Sequence, residues 1–262
     1  RDRADSISIN TNTQSAVKAR DLRSNSKQIL KLKKAYEAKY SNGFFATKRG
    51  EIIPADKDKQ YCIELSYLGK NLTAWYMQRP NLSYGETKIF DKYFNTLFKN
   101  DYLPEDAYAL SFWMRKIMDA WTQENPLGLE EELLTMKAYA PYHLLFAISM
   151  VFAKCNNQTN VPSPSECLKV ASENNLVDSI INIAANCLNS AISAEKNNCE
   201  QNNKSFIPQN WVKNKSCNAG IMSAIQNYFS FLPTMNKEMD SKLKNGVKID
   251  SKYFSYRVQA ED

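Results

Sequence analysis

Residue types that could do chemistry are few in this chain, and their spacing narrows the choices. Histidine occurs once, at His143 between Tyr142 and Leu144. HExxH zinc sites, paired-histidine metal sites and histidine-rich catalytic clusters are therefore excluded by counting. In an apolar stretch such a lone histidine reads as a core residue before it reads as a base. No serine or cysteine carries a local nucleophile motif, no GxGxxG or GxxxxGK[ST] occurs, and glycine totals 7 where average usage gives about 18. Phosphate-cradling loops are unsupported. A metal-dependent nuclease would need a carboxylate and a (D/E)xK triplet on adjacent strands, holding Mg²⁺ while lysine positions water. Four triplets occur, Glu37/Lys39, Glu86/Lys88, Asp240/Lys242 and Asp250/Lys252, close to the roughly three that composition gives by chance. Only Asp250 and Lys252 fall near a predicted strand. The run Glu130, Glu131, Glu132 suits a helix N-terminus, where the macrodipole favours negative charge. The sequence thus assigns no catalytic residue, no metal ligand and no cofactor.

The remaining signal is basic. The first 60 residues hold 14 Lys or Arg against 7 Asp or Glu, so the net charge of +6 is concentrated there. Lys18, Arg20, Arg23, Lys27, Lys31, Lys33 and Lys34 cluster, Lys48 and Arg49 follow, and Tyr36, Tyr40, Phe44 and Phe45 interleave with them. Lysine and arginine neutralise phosphates without reading sequence, so Lys18, Arg20, Arg23, Lys27, Lys31, Lys34, Lys48 and Arg49 form the candidate nucleic-acid-binding set. The competing account is a solvated lysine face over an aromatic core.

The elements that must position these residues follow from periodicity. Residues 6–12 alternate as a half-buried strand. A helix capped by Ser24 or Ser26 carries Ile29, Leu32, Tyr36 and Tyr40 on one face and Lys27, Lys31 and Lys34 on another, and a short strand runs through Phe44 and Phe45. From Asp58 the pattern turns helical. Tyr61, Leu65, Leu68, Leu72 and Trp75 mark a helix ended by Pro80, and further helices are predicted at 84–99, 104–124, 129–153, 165–174 and 176–196. Loops are predicted at 156–165 and 197–205. A helix from Ser216 stops at Pro233, a last one ends at Gly246, and the tail from Val247 to Val258 is extended. The predicted fold is mainly α, a short α/β remnant at 1–57 followed by a multi-helix domain at 58–262. Six cysteines without CxxC spacing read as reduced thiols. No apolar run spans a membrane, no signal peptide is present, and a cytoplasmic location is expected. The opening on Arg1 rather than methionine leads to the expectation of a longer parent protein.

Several short elements carry a family resemblance. Thr11-Asn12-Thr13-Gln14, then Lys18-Ala19-Arg20-Asp21-Leu22, Ser24-Asn25 and Gln28, and later Lys48-Arg49-Gly50-Glu51, resemble the TNTQ, RDL, SND-like and KRGE elements of the AIPR (abortive infection phage resistance) family. The segment from Pro80 to Phe98 looks similar as well, and together these cover about residues 5–100. Ser26 stands where the family usually has an aspartate, and the element that usually precedes TNTQ is absent. The resemblance implies a role in bacterial antiphage defence, in the C-terminal part of a longer protein, with Asn12, Thr13, Gln14 and Asp21 as motif residues. The expected function is noncatalytic, with nonspecific nucleic-acid contact or regulation and a phage or host protein as a further partner. The alternatives are a metal-dependent nuclease completed by this chain and a protein-interaction module.

Overall fold

The computed structural model describes residues 19–98, 102–122 and 124–259. It is 67% helical, with 13 α-helices and two small sheets among these residues. The mainly α, multi-helix prediction is correct. The strand at 6–12, Lys18 and the motif residues Asn12, Thr13 and Gln14 lie outside the described residues.

A short helix α1 (Ala19–Arg23) leads into α2 (Lys27–Lys39), which starts where Ser26 Oγ accepts from the Ile29 N–H at 3.4 Å. This is an N-cap satisfying one of the donors that a helix start leaves over. Ile29, Leu32 and Tyr36 are buried on one face as their spacing predicts. The helix predicted from Asp58 begins instead at Leu65. Asp58 caps a 3₁₀ turn at Lys59–Tyr61, and β2 (Cys62–Glu64) pairs in parallel with β1 (Phe44–Ala46), Phe45 opposite Ile63. Tyr61 is therefore upstream of α3 (Leu65–Trp75), nine of whose 11 residues are buried. This sheet, and a core that runs from Ile29 to Val247, take residues from both sides of position 57.

The span predicted as one helix at 84–99 is two, α4 (Glu86–Asp91) and α5 (Phe94–Leu97). Lys88 O accepts from both Lys92 and Tyr93 N–H, which closes the first. Pro104 opens α6 (Pro104–Met118), continued by a 3₁₀ turn to Trp121. The predicted 129–153 helix is also divided. After α7 (Glu131–Leu134) the chain turns, and α8 (Ala140–Cys155) begins with Pro141 in its first turn, where a missing N–H costs nothing.

Thirteen of the 16 residues of α8 are buried, among them Leu144, Leu145, Phe146, Ile148 and Phe152. It is the central helix, touched by α3, α6, α10 (Val177–Gln201) and α12 (Lys215–Met235). Each such side chain, fully removed from water, contributes roughly 1.5–3 kcal/mol before entropy is subtracted. Ser163 and Pro164 start α9 (Pro164–Glu173). Helix α10 continues through residues predicted as loop, and α11 (Pro208–Lys213) was not predicted. Pro233 does not stop α12; it sits in the last turn, where only the bond to the Phe229 carbonyl is lost.

The last helix, α13 (Lys237–Gly246), ends as predicted, but Gly246 is needed for packing rather than for a left-handed turn. A Cβ there would lie 2.7 Å from Leu176 Cδ1 and 3.2 Å from Asn174 Cβ. The extended tail pairs its β4 (Phe254–Ser255) antiparallel with β3 (Val161–Pro162), a strand inside the predicted 156–165 loop.

Candidate nucleic-acid interface

The basic segment divides into cations that hold the fold and cations that face outward. Arg20 is 5% exposed, with Nη1 3.3 Å from Glu64 and 3.4 Å from Glu86 and Nη2 3.7 Å from Asp21. Burial costs a charge several kcal/mol unless it is paired, and three carboxylates surround this one. Arg20 thus ties α1 to β2 and α4 and is not placed to meet a phosphate. Arg23 Nε donates to Phe90 O at 3.2 Å, and its guanidinium lies 4.7 Å from the Phe94 ring centroid, which docks α1 on α4 and α5. Asp21, the motif residue of the RDL element, is the sequence neighbour of Arg20 among these three carboxylates.

Lys27, Lys31 and Lys34 are exposed on α2. At 100° per residue they fall on one stripe opposite Ile29, Leu32 and Tyr36. No carboxylate among the described residues pairs with Lys27 or Lys34. Lys33 points along the flank of the helix instead, 3.3 Å from Glu51 and 3.7 Å from Glu37, over the Phe44 ring at 4.7 Å. Lys48 and Arg49 are exposed in the turn after β1, closed by Gly50 at φ +70°.

Glu51 was missed as a structural residue. Its carboxylate accepts from the N–H groups of Thr47 at 2.8 Å and Lys48 at 3.0 Å and pairs with Lys33. Burial opposes its ionisation, but the Lys48 and Thr47 N–H groups and the Lys33 ammonium together hold its pKa below the usual carboxylate range. The only sequence signal for it was its place at the end of the KRGE element. Glu37 fastens the other side, accepting from Phe45 N–H at 3.2 Å.

Three of the interleaved aromatics, Tyr36, Tyr40 and Phe45, pack on the core, whereas Phe44 is half-buried beneath Lys33. Tyr36 and Phe45 are fully buried, and Tyr40 stacks with Tyr61 and Tyr108 at centroid distances of 5.5 and 5.1 Å. Bases therefore cannot stack on Tyr36 or Phe45, and the lysine stripe offers charge alone.

Members of the carboxylate–lysine triplets are engaged in ion pairs with other residues of the fold. Lys39 pairs with Glu105, Glu86 with Arg20, Asp240 with Lys244, Lys242 with Glu238, and Asp250 with Lys252 on an exposed turn. Among the described residues no group of three or more His, Cys, Asp or Glu is placed to hold a metal ion. His143 is fully buried with Nδ1 3.1 Å from Tyr139 O, and burial lowers its pKa to about 4 against the backbone carbonyls of Tyr139 and Val212. It belongs to the core. Glu132, from the acidic run, pairs with Lys196 of α10.

Two concavities stand out elsewhere. One, about 340 Å³, is bordered by Arg79, Lys215 and Arg257 with Gln78, Asn218 and Gln259. The other, about 570 Å³, lies between α3, α6 and the start of α8 and is lined by tyrosine, methionine and lysine. No described helix is long and apolar enough to cross a membrane. No protein-family model, curated protein or solved structure matches this chain.

Proposed function

We propose that this chain is part of a bacterial antiphage protein of the abortive-infection type, acting without catalysis of its own through nonspecific contact with nucleic acid. The family part of this reading is supported by the TNTQ, RDL and KRGE elements. The contact part rests on one observation: Lys27, Lys31 and Lys34 form an exposed cationic stripe on a helix whose opposite face is anchored in the core. Lys48 and Arg49, exposed on the turn that Glu51 fixes to Lys33 of the same helix, extend the charge.

A stripe of this kind neutralises phosphates and releases condensed counterions, each contact adding about 0.9 to the salt slope on duplex DNA. Three contacts give a slope near −3 and weak binding at physiological salt. The joint variant Lys27→Glu, Lys31→Glu and Lys34→Glu leaves Ile29, Leu32 and Tyr36 untouched, so the expected result is an unchanged fold, lost duplex binding at about 50 mM salt and reduced protection in a phage plating assay. Duplex binding by this variant equal to the parent's would overturn the contact. Undiminished plating in the presence of the parent protein would remove the defence role.

A further inference from the structure

The 570 Å³ pocket is within the size range of small-ligand sites, about 300–1,000 Å³. Tyr67 and Lys70 reach it from α3, Met114 and Met118 from successive turns of α6, and Lys137 and Tyr142 from the entry to α8, with Tyr84 closing a side. Tyr67 is 54% and Tyr84 43% exposed, although Tyr84 also packs against the Tyr139 ring at 4.9 Å. Lys70 Nζ lies 5.5 Å from the Tyr67 ring centroid, Lys137 is exposed, and none of the lining residues is acidic.

Tyr142 differs from the other two tyrosines: its ring is buried, 7% exposed overall, while its hydroxyl bonds no described residue and opens to solvent at the pocket. Its burial, with Tyr67 and then Glu86 nearby, raises its pKa, so it keeps its proton and offers a donor to whatever enters. Glu86 itself is held by Arg20.

A matching ligand must therefore be flat and apolar in its body, carry an acceptor on its edge, and bear negative charge. A cation would meet two ammonium groups, and a purely apolar molecule would strip water from them for no return. Tyr67, Lys70, Met114, Met118 and Tyr142 all come from helices with internally paired backbones, so an extended peptide finds no strand edge to bond.

We propose that this pocket takes an unpaired nucleobase with its phosphate. Tyr67 and Tyr84 present ring faces to the base, Tyr142 donates to its edge, and Lys70 and Lys137 hold the phosphate. The site is distinct from the lysine stripe of α2 and does not depend on it. Aromatic stacking is sequence-tolerant, because every base has a π face, and a paired base in a duplex does not present one here.

The test is fluorescence anisotropy with a short labelled oligothymidine, the corresponding duplex, and calorimetric titration of thymidine and adenosine monophosphates. The parent should bind the single strand. Tyr67→Ala and Tyr84→Ala should each weaken that binding about 5- to 100-fold, the range of a lost stacking contact, with duplex binding unchanged. A joint Lys70→Glu and Lys137→Glu variant, altering two surface charges, should weaken the single strand and flatten its salt dependence by about 1.4 in slope. Binding of the oligonucleotide but not the monophosphates identifies a strand as the ligand; binding of the monophosphates identifies a free nucleotide, and either supports the site. The Lys27→Glu, Lys31→Glu, Lys34→Glu variant should keep the tyrosine-dependent effect, so loss of duplex contact alone leaves this proposal standing. Single-strand binding unaffected by both the tyrosine and the lysine variants, no binding of any nucleotide ligand at about 50 mM salt, or binding only of an acidic peptide would overturn it.

Discussion

His143 shows how a single residue sets a measurable property of the whole chain. Buried with its pKa lowered to about 4 from 6.5, it is neutral in the fold and becomes protonated more readily once unfolded. The unfolded state then binds more protons between about pH 6.5 and 4, so stability is fully present above pH 6.5 and declines as pH falls through that window. At 1.36 kcal/mol per unit the loss is roughly 3 kcal/mol. Because the chain has no other histidine, the part of the decline between pH 6.5 and 5 belongs to this residue. Urea unfolding at stepped pH should show it, and His143→Gln should remove the slope in that interval. A parent midpoint that stays level from pH 7 to 5 would contradict the buried neutral imidazole. Arg20 teaches the complementary point. Its basic neighbours in sequence suggested a phosphate ligand, but Glu64 and Glu86, brought from distant segments, claim it.

Among the elements, the junction of α2 with β1 is the tightest. A Cβ on Gly43 would stand 2.5 Å from the Tyr61 carbonyl oxygen and 2.9 Å from Tyr61 Cβ. Backbone cannot swing aside as a side-chain tip can, so Gly43→Ala should separate β1 from β2 and cost about 1–3 kcal/mol, an overpacking penalty readable by thermal melting. A melting temperature equal to the parent's would show that the junction yields. Helix α2 was legible because period, cap and burial agree within 13 residues. Helix α9 matches its predicted span to within one residue at each end, although its cap Ser163 and its first-turn Pro164 fall in the predicted 156–165 loop. Where the reading failed, the cause was non-local or overlooked. The parallel β1–β2 pair is defined only by its tertiary partner, and an apolar run fits a short buried strand as well as a helix start. Pro141 marks the start of α8 in the sequence itself, since a proline is tolerated in a first turn and not inside a continuous 129–153 helix. The outward stripe of Lys27, Lys31 and Lys34 follows from period alone, whereas the tyrosine pocket gathers α3, α6 and α8 and leaves no linear signature.

At the scale of the whole molecule the tail acts as a strap. Ser163 N–H donates to Tyr253 O at 2.8 Å, Val258 N–H to Tyr76 O at 2.9 Å, and Asn156 joins Val247 O and Ile249 N, so the last described residues hold the α3 end, β3 and α8 together. Trp75 Nε1 donates to Pro162 O at 2.7 Å beneath the same strap. Ending the chain after Asp250 should cost about 2–4 kcal/mol, the sum of a few backbone hydrogen bonds, seen as a lower urea midpoint. An unchanged midpoint would mean that the strap adds nothing. The strap also sets an order of events during synthesis. Val258 leaves the ribosome about 180 residues after the Tyr76 it bonds, and at roughly 5–20 residues per second this is an interval of about 10–35 s. Throughout that interval the nascent α3 end must wait uncovered, and β3, made about 90 residues before its partner β4, waits through roughly the second half of it, so a chaperone that shields apolar surface would have its opportunity there.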